Sequence, residues 1–227
     1  MSTTRRLNRE KIAATALAIA DAEGFASVSM RRVAQELGVG TMSLYHYVKN
    51  KAKLIAAMDD ALMADVVAPS LPKQWREALC TIAKRTRDVY LRHPWALAAM
   101  QSAPPGVNAM RHMEQCLQVL SGTGMTIPEK LTLLAVIDDF VFGYVLRETA
   151  GDPNVDAELA AKELASGGFP RLAEAFGKGR VCAMPNRFRL GLEALLDSAT
   201  RRVTGSAAHT RAKRMKQPGQ CFQHQGA

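Results

Sequence analysis

The amino-acid sequence predicts an all-α fold, with a three-helix unit at the start and a larger helical domain after it. Alanine and leucine are plentiful and runs of β-branched residues are few, which favours helix over strand. Ile12, Ala16 and Ile19 recur three or four positions apart, so they share one face of a helix. Residues 29–53 predict two further helices joined by a turn that contains glycine.

The first four helices are predicted from their capping and breaking residues. Polar residues that suit a helix start precede three of them: Asn8, Ser29 and Asn50. Gly38-Val39-Gly40 turns the chain between the second and third helices, and Pro69 and Pro72 end the fourth. We therefore predict helices over residues 8–23, 30–37, 41–48 and 51–67.

The chain from residue 69 onward predicts a second set of helices, separated by proline and glycine. These helices are predicted over residues 74–92, 94–101, 107–121, 128–150, 155–166 and 186–204. Residues 151–185 are the least regular part, and the polar, basic segment after Gly205 is predicted to be disordered. The predicted domains are residues 1–68 and 69–204, with a tail over 205–227.

Positive charge is concentrated at the two ends of the chain. Residues 1–53 carry nine Lys and Arg against four Asp and Glu, whereas residues 54–200 carry fifteen against seventeen. Residues 201–227 carry six basic residues and no acidic ones. Such a polarised charge distribution favours binding of a polyanion at one end of the molecule.

The segment after Gly40 has the pattern of a DNA recognition helix. Leu44 and Val48 are placed to point inward, so the polar side chains of the same helix can face the major groove. Those outward positions are Thr41, Met42, Ser43, Tyr45 and His46. Hydroxyl groups can bind several bases and a methionine can contact a thymine methyl, so this set suits sequence reading.

The run LGVGTMSLYHYVKNKAKL, which follows the helix at 8–23 and the segment SMRRVA, resembles the DNA-binding domain of the TetR family of bacterial repressors. The likeness covers residues 7–72 and is closest to the branch that contains the tetracycline repressor. It implies a homodimeric repressor that binds a palindromic operator in double-stranded DNA and is released by a small-molecule inducer, not yet identified. It implies no cofactor.

The resemblance also implies roles for individual residues in DNA binding. Thr41, Met42, Ser43 and His46 would meet base edges, and Tyr45 would lie near the sugar-phosphate backbone. Lys51 would contact a phosphate at a helix N-terminus, Ser29 would contact another, and Arg31 would reach a base. The predicted DNA-binding set is therefore Ser29, Arg31, Thr41, Met42, Ser43, Tyr45, His46 and Lys51.

Aromatic, methionine and other side chains of the second domain are candidates for an inducer pocket, with ordinary core packing as the alternative. The predicted set is Tyr90, Trp95, Met100, Met110, Met113, Cys116, Phe142 and Arg147. Asp138 or Arg147 could orient the inducer. Val67 stands where the tetracycline repressor branch has a drug-binding histidine, so magnesium-tetracycline is not the expected ligand and no metal site is predicted.

Two apolar stripes on the late helices are candidates for a dimer interface, with burial inside their own domain as the alternative. The first consists of Leu131, Leu134, Asp138, Val141 and Val145, and the second of Phe188, Leu192, Leu195 and Ala199. The resemblance favours dimerisation through these stripes.

Three alternatives compete with a specific, ligand-responsive repressor, and the sequence leaves one of them open: a TetR-like protein that activates transcription or responds to no ligand. An enzyme is disfavoured because the sequence has no nucleophile-elbow, P-loop or dinucleotide motif and no paired histidines at metal-binding spacing. A non-specific DNA-packaging protein would suit the basic tail, but it would not need polar residues clustered on a recognition helix. No apolar run approaches membrane-spanning length, so we expect a cytoplasmic protein with no membrane partner.

Overall fold

The computed structural model describes residues 7–99, 104–150, 157–177 and 186–200, and every regular element in those ranges is a helix. The predicted all-α fold class is therefore confirmed. Ten helices have defined bounds: α1 (Arg9–Glu23), α2 (Met30–Glu36), α3 (Thr41–Tyr45), α4 (Lys51–Val66), α5 (Trp75–Arg92), α6 (Ala96–Ala99), α7 (Val107–Val119), α8 (Ile127–Thr149), α9 (Ala157–Ala165) and α10 (Pro170–Gly177). An eleventh, α11, covers 186–200. Short 3-10 helices lie at Phe25–Ser27 and Ser121–Thr123.

The three predicted capping residues begin the helices as expected. The side chain of Asn8 accepts a hydrogen bond from the Lys11 backbone N–H at 2.8 Å. Ser29 and Asn50 accept in the same way from residues three positions later, at 3.1 and 2.9 Å. Each bond satisfies one of the N–H groups that a helix start leaves unpaired. Gly38, with φ of 65°, allows the turn between α2 and α3.

Helix α4 connects the three-helix unit to the rest of the protein. Its buried side chains are Leu54, Met58, Leu62 and Val66, and all belong to one continuous core. The same helix packs against α1 on one side and against α7 on the other, while α5 packs along α8. A shift of α7 therefore has a direct path through α4 to the helix-turn-helix.

The dimer interface predicted from the apolar stripes of α8 and α11 is wrong for most of the residues in those stripes. Leu134, Val141 and Val145 are buried within this chain's own core, as are Phe188, Leu192 and Ala199. The apolar residues do recur at helical spacing, but their side chains face α5 and the neighbouring helix instead of a partner chain. Phe140 and Gly191 show how closely α8 and α11 approach, since a Cβ on Gly191 would lie 2.7 Å from the Phe140 ring.

Several sequence predictions concern shorter or undescribed segments. The helix predicted over 94–101 is described as α6, and the stretch predicted as least regular contains α10. The predicted loop at 151–153, Met100, residues 201–204 and the tail over 205–227 lie outside the described residues. Among the helices that are described, none is long and apolar enough to cross a membrane.

Candidate DNA-binding surface and regulatory pocket

Helix α3 presents polar side chains because its apolar ones are fixed in the core. Leu44 and Val48 are fully buried, which sets the rotation of the helix about its axis. The residues around them lie partly or fully at the surface: Thr41, Met42, Ser43, Tyr45 and His46. Met42 is 74% exposed, so its whole side chain can reach a molecule bound at this surface. Helix α3 is thus oriented so that its N-terminal half can enter a groove of DNA.

Two adjacent arginines of α2 have different environments. Arg32 pairs with Glu23 at 2.6 Å and with Glu36 at 2.8 Å, which raises the pKa of Arg32 and lowers that of Glu23. Arg31 is exposed and makes no ion pair or hydrogen bond within the described part of the chain. Arg32 therefore holds α2 against the end of α1, while the Arg31 guanidinium remains available for DNA.

Lys51 lies at the first position of α4, where helix N–H groups point outward. The Asn50 side chain satisfies the N–H of Lys53. The Lys51 Nζ lies 6.0 Å from the centroid of the Phe25 ring, at the limit of a cation–π contact. The ammonium group and the helix start together make a site of positive potential that suits a phosphate oxygen.

Asp21 joins the end of α1 to the junction of α5 and α6. Its Oδ1 atom lies 2.7 Å from Nδ1 of His93 and accepts a hydrogen bond from Nε1 of Trp95 at 2.8 Å. The Trp95 ring stacks on Phe25 with the centroids 5.5 Å apart. These contacts fix the DNA-binding unit against the larger domain beside the start of α4, because Phe25 also lies next to Lys51.

A small interior cavity lies between α5, α7 and α8. Its volume is about 10 Å³, the space of a single water molecule. Apolar residues form most of the wall, and it also includes Thr86, His112, Cys116 and Asp138. Met113 also lines the cavity and is 39% exposed, so it separates the interior from solvent.

Two polar groups of this interior, His112 Nδ1 and the Asp138 carboxylate, lack a hydrogen-bond partner in the described part of the chain. Nδ1 of His112 is buried without a hydrogen bond among the described residues, and burial lowers the pKa of its imidazole. Burial and the neighbouring Asp139 raise the pKa of Asp138 to about 6. Burial also raises the pKa of Cys116 to about 12, and its Sγ lies 3.8 Å from Nε2 of His112.

A larger groove of about 380 Å³ separates the start of α8 from the end of α11. It is lined mainly by apolar atoms of three segments, and its walls include Met125, Leu133, Val136 and Leu195. Val136 is 41% exposed, and Leu190 on α11 is 49% exposed. The groove and these side chains form an apolar surface along two long helices.

The comparisons with known proteins match both halves of this architecture. Residues 12–58 match the family model of bacterial regulatory proteins of the tetR family, and residues 68–201 match the tetracyclin repressor-like C-terminal domain. The chain belongs to the TetR family. This assignment confirms the predicted helix-turn-helix DNA-binding transcriptional repressor, and it excludes the enzyme alternative because the family is not enzymatic.

Curated and solved TetR-family proteins resemble the chain over most of its length. The HTH-type transcriptional repressor DrrR1 of Streptomyces coeruleorubidus is 36% identical over 211 residues, covering 84% of this chain and 76% of DrrR1. The tetracycline repressor protein class E of Escherichia coli is 26% identical over 194 residues, covering 84% and 90%. The crystal structure of apo ActR from Streptomyces coelicolor has a TM-score of 0.76 at 29% identity, covering 88% of this chain and 98% of ActR.

The eight residues predicted to bind DNA fall on three consecutive elements of the TetR-type head. Ser29 caps α2, and Arg31 is the second residue of that helix and is exposed. The five outward residues of the recognition segment lie on or directly after α3, and Lys51 begins α4. The structure therefore gathers the set at one end of the protein. It adds the ion pairs of Arg32, a residue with no role predicted from the sequence.

The residues predicted to line an inducer pocket do not form one group. Met113 and Cys116 line the interior cavity, and the rings of Tyr90 and Phe142 meet edge to face at 5.2 Å. The others with described side chains lie elsewhere: Trp95 packs on Phe25, Met110 is 66% exposed, and Arg147 is exposed with its guanidinium 5.6 Å from the Tyr144 ring. Met100 lies outside the described residues.

The side chain that sequence inspection missed is His112. It was one of several dispersed histidines, and nothing in the sequence placed it opposite Asp138 on another helix. Its spacing did contain a signal, because His112 and Cys116 are one helical turn apart and share a face of α7. Met113 extends the same wall of the cavity.

Proposed function

We propose that the chain is a homodimeric repressor that binds an inverted-repeat operator and releases it when a small molecule enters the helical domain. The observation that carries the proposal is the rotation of α3. Buried Leu44 and Val48 hold it so that Met42 and its polar neighbours face outward, beside the uncommitted Arg31. Side chains that read base edges and side chains that hold phosphates thus lie on one surface.

The individual DNA contacts follow from side-chain chemistry and position. Thr41, Ser43 and His46 offer hydrogen-bonding groups to bases, and Met42 offers an apolar contact to a thymine methyl. Arg31 binds a guanine through its planar fork, while Tyr45, Ser29 and Lys51 hold the backbone. The DNA-binding domain is residues 1–68 and the regulatory domain is 69–204, with the protein acting in the cytoplasm.

The dimer forms through the apolar surface along α8 and α11. Val136 and Leu190 remain exposed in the single chain, and the groove between the two helices is apolar. Pairing of this surface with its copy gives a four-helix arrangement that buries these side chains. A two-fold dimer places two recognition helices about one turn of DNA apart, so the operator is an inverted repeat.

The inducer site is the interior between α5, α7 and α8, with the Tyr90–Phe142 pair beside it. ActR, a related fold at 28% identity and a TM-score of 0.72, has a crystal structure in complex with actinorhodin. Helix α7 bounds the cavity and packs on α4. Movement of α7 on ligand entry therefore changes the position of the DNA-binding head.

Selection from a random pool of double-stranded DNA tests the proposal. The full chain is incubated with the pool at near-physiological salt, and bound DNA is sequenced after several rounds. Recovery of one inverted-repeat site is the expected result. Enrichment of no sequence, together with binding that depends only on salt, would favour the DNA-packaging alternative and reject the assigned base contacts.

A further inference from the structure

The interior of the helical domain contains acidic groups without a cationic partner. Asp138 lines the cavity, and its carboxylate has no ion pair or hydrogen bond with any described residue. Burial and the charge of another carboxylate, Asp139, raise its pKa, and neither supplies it with a partner among the described residues. Asp59 on α4 is similar, since burial and Asp60 raise its pKa to about 6. Half-buried carboxylates of this kind normally have a positive or hydrogen-bonding partner.

His112 gives independent evidence that the cavity is built for a polar ligand. The residue is only 9% exposed, it lines the cavity with Asp138, and its Nδ1 atom has no hydrogen-bond partner among the residues described. A buried nitrogen without a partner costs free energy, so such atoms in a folded protein call for an explanation. A bound molecule with N–H donors would satisfy both the imidazole and the carboxylate.

Tyr90 extends the same polar interior toward α4. It is buried, and burial together with the charges of Asp59 and Asp138 raises its pKa to about 12. Both carboxylates are therefore near enough to the phenol to influence it. The interior thus combines negative charge with an aromatic ring beside it.

We propose that the inducer is an apolar molecule carrying a protonated amine, which pairs with Asp138 and donates to His112. This inference rests on the proposed function, because it names the ligand class of the proposed inducer site. An anion would meet the carboxylate unfavourably, and a neutral molecule would leave it unpaired. The Tyr90 and Phe142 rings supply a surface for the apolar body of the ligand and for its positive charge.

Entry to the site is provided at Met113. The cavity has the volume of one water molecule, so a ligand must displace side chains as it enters. Met113 lines the cavity and is also 39% exposed, and an unbranched thioether changes rotamer at little cost. His112 and Met113 are neighbours on α7. A ligand that binds against the His112 imidazole therefore displaces α7, the helix that packs on α4.

The test uses three naphthalene probes of similar size and different charge: 1-naphthylmethylamine, 1-naphthalenemethanol and 1-naphthoic acid. Binding of each to the full-length protein is measured at pH 7.5 by calorimetry and by the fluorescence of the naphthalene ring. The amine is expected to bind at least about tenfold more tightly than the alcohol and the acid, which corresponds to about 1.4 kcal/mol. Equal binding of the amine and the alcohol would overturn the proposal.

Asp138→Asn and Asp139→Asn form a matched pair of variants. Both remove one carboxylate from α8, but only Asp138 lines the cavity. The preference for the amine should disappear in Asp138→Asn and persist in Asp139→Asn, with the melting temperature confirming that each variant is folded. A preference that survives in Asp138→Asn rejects the proposed pairing.

The outcome can be separated from that of the repressor proposal. If the protein selects an operator but binds none of the probes, the ligand class is rejected and the repressor stands. If amine binding depends on Asp138 but no operator is selected, the site stands and the repressor is rejected.

Discussion

Asn108 of α7 donates hydrogen bonds to Asp60 of α4 from both its backbone and its side chain. The backbone N–H of Asn108 donates to Asp60 Oδ1 at 2.7 Å, and Nδ2 donates to the Asp60 carbonyl oxygen at 3.0 Å. Two turns along, the Gln115 amide accepts from the Ala68 N–H and donates to the Ala68 carbonyl. With two polar attachments on one packed face, α7 and α4 shift together, which couples the cavity to the DNA-binding head.

Gly106 makes this attachment possible, and its replacement should destabilise the protein. A Cβ at Gly106 would lie 2.1 Å from Oδ1 of Asp60, so Gly106→Ala must displace the carboxylate that binds α7. We expect a loss of about 1–3 kcal/mol in the free energy of unfolding, measured with urea. Gly122→Ala is the control, because no atom lies within 4 Å of that Cβ. Equal effects of the two variants would show that the close approach has no energetic importance.

Arg31→Ala and Arg32→Ala should separate DNA binding from folding. Arg31 is exposed without a described partner, so its loss should weaken the selected operator by about 10- to 100-fold and relax the base preference, with an unchanged melting temperature. Arg32 pairs with Glu23 and Glu36, so its loss should lower the melting temperature instead. Fluorescence anisotropy with labelled operator and thermal unfolding measure the two effects. If both variants changed operator affinity and melting temperature by the same amounts, the separate roles of Arg31 and Arg32 would be rejected.

Lys51→Ala should weaken binding to every DNA sequence by a similar factor. One phosphate contact fewer lowers the slope of log affinity against log salt concentration by about 1. Titrations of the operator and of a scrambled duplex over several salt concentrations measure this slope. Lys73→Ala, an exposed lysine outside the DNA-binding elements, serves as the control and should leave the slope unchanged. A change confined to the operator would mean that Lys51 reads sequence.

The helices of the DNA-binding unit could be predicted from sequence because their signals are local. Asn8, Ser29 and Asn50 cap helices three residues before the N–H groups they bind, so a short window contains both partners. The inward direction of Leu44 also follows from spacing within one helix. The recognition surface was therefore predictable to the level of single residues, although its base contacts stay a prediction.

The sites of the larger domain depend on contacts between distant residues, which spacing cannot supply. Leu134 and Val141 have the same spacing whether they face α5 or a partner chain, so the dimer interface was misplaced. Trp95 was assigned to a pocket because it is aromatic, but its partner is Asp21, 74 positions earlier. His112 and Asp138 meet at a cavity only because α7 and α8 pack together.

Val136→Glu should convert the dimer to a monomer. Val136 borders the apolar groove between α8 and α11, so a charge there would be buried without a partner on dimerisation. We expect the dimer dissociation constant to rise at least about tenfold, seen by light scattering, with a parallel loss of operator affinity. Val107→Glu, a similarly exposed apolar position at the start of α7, is the control. A dimer that survives Val136→Glu would place the interface on another surface.

Asp138→Asn should stabilise the protein at neutral pH, and the gain should vanish in acid. Burial raises the pKa of Asp138 from 3.8 to about 6, so the folded state binds the proton more tightly than the unfolded state does. Ionisation therefore costs stability above pH 6, and the cost fades between pH 6 and 4 as both states become protonated. At about 1.4 kcal/mol per pKa unit, the variant should gain on the order of 2–3 kcal/mol at pH 7.5.

Urea unfolding of the unmodified protein and Asp138→Asn at pH 7.5, 5.5 and 4 measures this pH dependence. Asp139→Asn is the comparison variant: it removes only the smaller cause of the raised pKa of Asp138, so its gain should be smaller. A gain that is constant across this range would mean that the amide stabilises by packing, not by removing a charge. Complete absence of a gain at pH 7.5 would mean that the Asp138 carboxylate already has a partner in the folded protein. The predicted stabilisation and the proposed binding of an amine both depend on the same charge, because a cationic ligand would pair with the Asp138 carboxylate that costs stability in the free protein.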